Sequence, residues 1–250
     1  MTSIFKFNYF RLFKDKVHCV PGWFGLLVLS SLLFNYFPQI DISVTQFFYA
    51  SQGIFPANDF WLVKGIYQAT PWVGRFAFLF ALVVLLFAIC FPNRISRRHW
   101  RRASAIVMVV VLGIGLLVHT LLKDGMGRPR PRDVQIFMGT TDYVPVFVPS
   151  QFCQTNCSFV SGHAAVGFAL MSIGMLSIRK RRRFWLAIGF MSGGAIGLAR
   201  IAQGGHFLSD VVFSLIAMWG CHLLIRFLWI RLRAWQLHKA AYPVSRYQSL

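Results

Sequence analysis

Six apolar stretches, at 22–37, 71–91, 103–122, 161–178, 184–199 and 209–230, divide the chain, and most charged residues crowd into the gaps between them. Apolar runs of about 18 residues or more predict membrane-spanning helices, because inside lipid a helix satisfies its own backbone hydrogen bonds. The pattern therefore predicts an all-α integral membrane bundle of six transmembrane helices, forming a single domain over residues 1–250. The first and fifth stretches are short and would have to extend or tilt. No A-x-A-like cleavage site follows the first one, so it is expected to be a retained anchor rather than a removed signal peptide. Before it, residues 4–16 interleave aromatics with Lys6, Arg11, Lys14 and Lys16, the pattern of a helix lying in the membrane interface.

Composition agrees. Hydrophobic residues make up 56% of the chain and charged ones 13%, with a mean hydropathy of +0.57. A soluble domain carries about a quarter charged residues, so that class is excluded. The net charge of +19 is also unevenly placed: segments 1–21, 92–102, 179–183 and 226–250 hold 4, 5, 5 and 5 of the 26 Lys and Arg. With six spans all four fall on one side, and the positive-inside rule makes 1–21 a cytoplasmic interfacial segment and 231–250 a cytoplasmic tail. Such runs invite a nucleic-acid reading. Tight loops between spans instead set orientation and meet anionic headgroups, at about 1 kcal/mol per residue, so no nucleic-acid partner is expected.

The other cations are Lys64, Arg75, Lys123, Arg128, Arg130, Arg132 and Arg200, and five of these seven lie in short polar motifs at the ends of apolar runs. Lys123-Asp-Gly-Met-Gly-Arg128-Pro-Arg130-Pro-Arg132 packs four cations into ten residues. Its prolines cannot continue a helix, and its glycines let backbone amides approach an anion. Ser161-Gly162-His163 opens the fourth run, where free amides and the helix dipole favour an anion. His206 and Asp210 stand four apart, on one face if the last helix has begun by then, with Arg200 six residues before the histidine. A carboxylate on one imidazole nitrogen leaves the other free to attack.

Together these read Lys-x6-Arg-Pro, Ser-Gly-His and Arg-x5-His-x3-Asp. The pattern resembles the type 2 phosphatidic acid phosphatase superfamily of membrane lipid phosphatases. Cys157-Ser-Phe-Val-Ser-Gly-His163 and Arg200 to Asp210 look like its bacterial lipid A phosphatase branch. There are two departures: Val160 stands where the family usually has Pro, and Ala199 where it usually has Ser.

The resemblance implies phosphate-monoester hydrolysis through a phosphohistidine. His206 would attack phosphorus, Asp210 would orient it, and His163 would protonate the leaving oxygen. Lys123, Arg130, Ser161, Gly162 and Arg200 would hold the phosphoryl oxygens. Arg128 and Arg132 are candidates for a second phosphate or a sugar headgroup. No metal and no cofactor are expected, since fixed cations and amides supply the charge that Mg²⁺ gives elsewhere. The expected partner is a phosphorylated membrane lipid, at the periplasmic face of a multi-pass protein of the bacterial inner membrane. Lipid A, at its 1-phosphate, comes first. Undecaprenyl pyrophosphate, phosphatidylglycerophosphate and transfer to a second lipid are alternatives. A transporter of phosphorylated substrates is the reading from a different class, but transporters place binding groups near the bilayer midplane. Here the spans offer only His119 and His222 there.

Three points stay open. Cys153 and Cys157 fall in the outward loop, where a disulfide can persist if the backbone bends suitably. A zinc pair would need two further ligands. The aromatic loop 38–70 is expected to rest in the interface, either as an anchor or as a gate.

Overall fold

The computed structural model describes residues 19–241, so the expected interfacial helix over 4–16 and the end of the tail lie outside the described residues. Helix α1 (Cys19–Tyr36) meets α2 (Gln39–Gln46) at an 80° bend. Pro38 marks the bend, because it lacks an N–H and pushes the preceding residue out of helical geometry. Helix α3 (Trp61–Cys90) starts ten residues earlier than expected and tolerates Pro71 inside it. Helix α4 (Arg97–Met108) runs into a wider π-type winding over Val109–Lys123, marked by a hydrogen bond from Thr120 Oγ1 to the Gly115 carbonyl.

Helix α5 (Gly162–Ala169) tightens into a 3₁₀ turn over Leu170–Gly174. Helices α6 (Arg179–Ala202) and α7 (Leu208–Ala241) complete the bundle. Among the described residues there is no strand, only one isolated bridge between Val134 and Thr141.

Four helices are long and apolar enough to cross a membrane, and α1 with α2 makes a fifth if the bent pair is one span. The expected fourth span is helical only over Gly162–Gly174, about 20 Å of rise against a hydrocarbon layer of about 30 Å. The count of six thus exceeds what helix length and composition support. What α5 lacks in length it recovers in close packing on α6. A Cβ on Gly167 would lie 2.6 Å from the Gly193 Cα, so the two backbones touch where any side chain would hold them apart.

The two ends of the bundle differ. At one end Arg101, Arg102 and Arg181 line one cavity of about 280 Å³, and Trp100 packs on Trp229, joining three of the basic segments. The polar motifs gather at the other end, and the positive-inside rule would put the basic end in the cytoplasm. Reporters fused after residues 140 and 205 are accordingly expected to read as periplasmic, and those after 97 and 181 as cytoplasmic. A cytoplasmic signal from position 140 would overturn this orientation.

The segment 38–70 is not a simple interfacial loop. Phe47, Phe60 and Trp61 are exposed, but Asp41 and Phe55 are buried beneath the site. Phe55 packs with Val134, Phe137 and Phe207, flanked by Tyr49 and Tyr143. Its ring presses on Gly204, whose φ of +62° turns the chain from α6 towards His206. A side chain there would collide with the ring as well as strain the turn.

Candidate active site

Ser161 is the N-cap of α5. Its hydroxyl accepts from the Ala164 amide, and its own amide donates to the Asp210 carbonyl at 3.2 Å. The serine therefore shapes the helix start, and the amides of Gly162 and His163 are the ones at the helix mouth. A Cβ on Gly162 would lie 3.4 Å from the His119 ring and 3.9 Å from Lys123 Nζ. The π-type winding thus delivers its terminal lysine to the mouth of α5, with His119 beside it. Lys123 and Arg200 both act electrostatically on His163 and on His206, so the three motifs share one pocket.

Arg130 and Arg200 are buried at 8% and 3% exposure, and neutral oxygens hold both in place. Arg130 donates from Nε and Nη2 to the Asn156 carbonyl at 3.2 and 2.7 Å, and Arg200 donates from Nη1 to Gln203 Oε1 at 2.5 Å. Burial lowers the Arg130 pKa from its ordinary value, and the charge of Arg132 adds to the effect. Arg200 Nε and His163 Nε2 are buried without a hydrogen-bond partner. Such orphaned polar atoms are costly unless something occupies the space they face.

Tyr67, absent from the sequence motifs, joins these groups. Its ring stacks on His163 at 4.9 Å, and the Arg200 guanidinium lies 4.4 Å from its centroid. Pro71, four residues on, cannot donate to the Tyr67 carbonyl, which lies beside the His163 ring.

His206 precedes α7 rather than lying on it. Its Nδ1 is 2.8 Å from the Ser158 carbonyl and 3.5 Å from Asp210 Oδ2. A carbonyl only accepts, so Nδ1 carries the proton and Nε2 presents its lone pair. Asp210 is fully occupied, accepting from Arg128 Nη1 at 2.6 Å, from the Phe207 amide at 2.8 Å and from Ser158 Oγ. It therefore acts on His206 partly through Ser158. Burial pushes the His206 imidazole down to about 3 against the opposing pull of Asp210, and Arg200 and Lys123 push it the same way as burial. The ring is neutral at physiological pH, as a nucleophile must be.

Arg128 does not face this pocket. Its Nε donates to the Val144 carbonyl, Nη1 to Ser209 Oγ and Asp210, and Nη2 to Asp41 and the Tyr143 hydroxyl, which uses all five donors. The Phe207 ring covers the guanidinium at 4.4 Å. Burial alone would lower its pKa, but Asp210 and then Asp41 raise it above the ordinary value. The expected second phosphate ligand is instead the centre of an internal ion network, because two carboxylates already neutralise it. Arg132 is half-exposed, with Asp133 at 3.9 Å. Cys153 and Cys157 are joined in a disulfide. Among the described residues no three His, Cys, Asp or Glu side chains group as metal ligands.

The PAP2 superfamily profile matches residues 104–234. A lipid A 4'-phosphatase of Francisella tularensis subsp. novicida (strain U112) is 33% identical over 208 residues, covering 82% of this chain and 89% of that protein. A lipid A 4'-phosphatase of Rhizobium leguminosarum is 29% identical over 77% of this chain and 86% of its own length. Phosphatidylglycerophosphatase B of Bacillus subtilis is 27% identical over 57% of this chain and 64% of its own. No solved structure matches. The polar motifs, the apolar helices and these relatives agree: the chain belongs to the PAP2 superfamily and is a membrane lipid phosphatase, a phosphoric monoester hydrolase.

Proposed function

We propose that the protein removes the 4'-phosphate of lipid A through a phosphohistidine on His206. The observation that carries the site assignment is the contrast among its arginines. Arg128 is neutralised by two carboxylates, whereas Arg130 and Arg200 are held by carbonyl oxygens and keep their charge for a phosphate dianion. The choice of the 4' position, over the 1-phosphate expected from the motifs, rests on the names of the relatives.

In this mechanism Lys123, Arg130, Arg200 and the amides of Gly162 and His163 hold the phosphoryl oxygens. His206 Nε2 attacks phosphorus, and the P–O bond to the sugar breaks. His163 Nε2, protonated once the phosphate dianion offsets the charges of Lys123 and Arg200, gives its proton to the departing alkoxide. The same histidine then takes a proton from water, which attacks the phosphohistidine and releases inorganic phosphate. Fixed cations stabilise the charge that develops on the phosphoryl oxygens. The site is proposed to face the periplasm from the inner membrane, a reading supported by the basic segments gathered at the opposite end of the bundle.

The test is phosphate release by the purified protein from lipid A, undecaprenyl pyrophosphate and phosphatidylglycerophosphate, with the lipid A product mapped by mass spectrometry. Loss of the 4'-phosphate is the expected result, and loss of the 1-phosphate alone would reject the assigned position. Hard divalent ions favour several oxygen ligands, and Asp210 is already occupied by internal donors. Activity is therefore expected to survive EDTA. Loss in chelator with recovery on Mg²⁺ would contradict this mechanism.

A further inference from the structure

We infer that the disulfide-closed loop Cys153–Cys157, with Ser158 after it, positions both the nucleophile and a phosphate-binding arginine, so that full activity requires the disulfide. The inference rests on the roles proposed for His206 and Arg130. Three consecutive residues carry it. The Asn156 carbonyl accepts both hydrogen bonds from one edge of the Arg130 guanidinium, leaving the other edge for substrate. Cys157 is fully buried and bonded to Cys153 four residues back. Ser158 gives its carbonyl to His206 Nδ1, its hydroxyl to Asp210 and its amide to the Arg128 carbonyl.

Asn156 sits at φ +55°, a left-handed conformation that asparagine tolerates better than most residues but does not prefer. Ring closure restricts the alternatives open to a five-residue loop, and so keeps that carbonyl aimed at Arg130. The loop caps the end of the bundle and forms no part of a spanning helix. Opening it leaves the helical core intact while releasing one face of the catalytic pocket.

The chemistry is reversible. A dithiol reductant attacks the sulfur of Cys153, which is partly exposed where Cys157 is buried, as thiolate; the S–S bond breaks, and Cys157 leaves as a thiolate that then takes up a proton. A second thiolate of the reductant resolves the mixed disulfide, so two electrons pass to the protein and the reductant becomes a cyclic disulfide. Asn156 is then free to leave the left-handed region. The Arg130 anchor and the Ser158 carbonyl shift together, and displacements near 1 Å at a catalytic centre cost about 10²-fold in rate.

The experiment uses full-length protein in detergent, measuring phosphate release from lipid A and the amount of trapped phosphoenzyme. It compares oxidised, dithiothreitol-reduced and re-oxidised wild type, and the C153S/C157S double variant. Reduction is expected to lower kcat by about 10–10²-fold, with helical content and the bundle's unfolding temperature unchanged, and re-oxidation to restore it. The double variant should be slow and indifferent to dithiol. Should that variant fail to fold, reversible reduction of the wild type still decides the matter. A reduced enzyme with undiminished kcat overturns the inference, as does one that loses activity only by unfolding. If His206→Ala leaves phosphate release intact, the site assignment fails instead, whatever reduction does.

Discussion

Replacing His206 by Ala is expected to eliminate the trapped phosphoenzyme for every substrate, while His163→Ala is expected to slow lipid hydrolysis by about 10²–10⁴-fold. The two histidines differ in what surrounds them. His206 has its Nδ1 proton committed to the Ser158 carbonyl and is held neutral by burial, which leaves Nε2 as a lone-pair donor. His163 sits at the mouth of α5 with Nε2 unpartnered and its ring plane set by Tyr67. That is the placement of a group that hands a proton to a leaving oxygen. An activated aryl phosphate leaves without protonation, so His163→Ala should retain most of its activity on that substrate and His206→Ala should not. Labelled phosphate trapped on the His206 variant but not on the His163 variant would reverse the two assignments.

Arg128→Met is expected to destabilise the folded protein rather than to weaken substrate binding selectively. The substitution keeps much of the side-chain volume but strips the charge from between Asp41 and Asp210, both of which are fully buried. Removing one partner of a buried ion pair costs about 3–5 kcal/mol, because the remaining charge has no water to turn to. Two carboxylates are stranded here, so the effect should lie at or above the upper end of that range. Asp41→Asn is the milder change, since an amide oxygen can still accept from Ser209 and Arg128. Unfolding temperatures in detergent measure both. An Arg128→Met protein that melts like the wild type yet loses phosphate affinity would return Arg128 to the substrate site.

The sequence made the motifs legible because phosphate chemistry demands particular residue types at fixed spacing. Lys123, Arg130, His163, Arg200 and His206 do converge in the structure. Each of the six apolar runs contains a helix, but the runs did not mark the helix ends, and α2 fell outside them. Pro71 reads as a start signal, yet α3 passes through it, and close packing on Gly193 substitutes for length in α5.

What stayed hidden was everything set by distant approach. Asp41 lies 87 residues from Arg128, and no local pattern pairs them. One signal was nevertheless available, since a lone carboxylate in the apolar stretch Phe37-Pro-Gln-Ile-Asp41-Ile needs a buried partner. Ser158 and Tyr67 gave no such signal. One acts through its backbone carbonyl, and the other was a single aromatic among many.

The network around Arg128 also imposes an order on biosynthesis. Asp41 leaves the ribosome 87 residues before Arg128, 102 before Tyr143 and 168 before Ser209, the three residues that donate to its carboxylate. Until the chain has been made almost to its last helix, that carboxylate has to stay hydrated at the membrane surface, where water can stand in for the missing donors. Helix α2 therefore has its full set of partners only once the start of α7 has been made. A chain truncated before Ser209 would lack both Asp210 and the Ser209 donors, and so would carry an incomplete ion network.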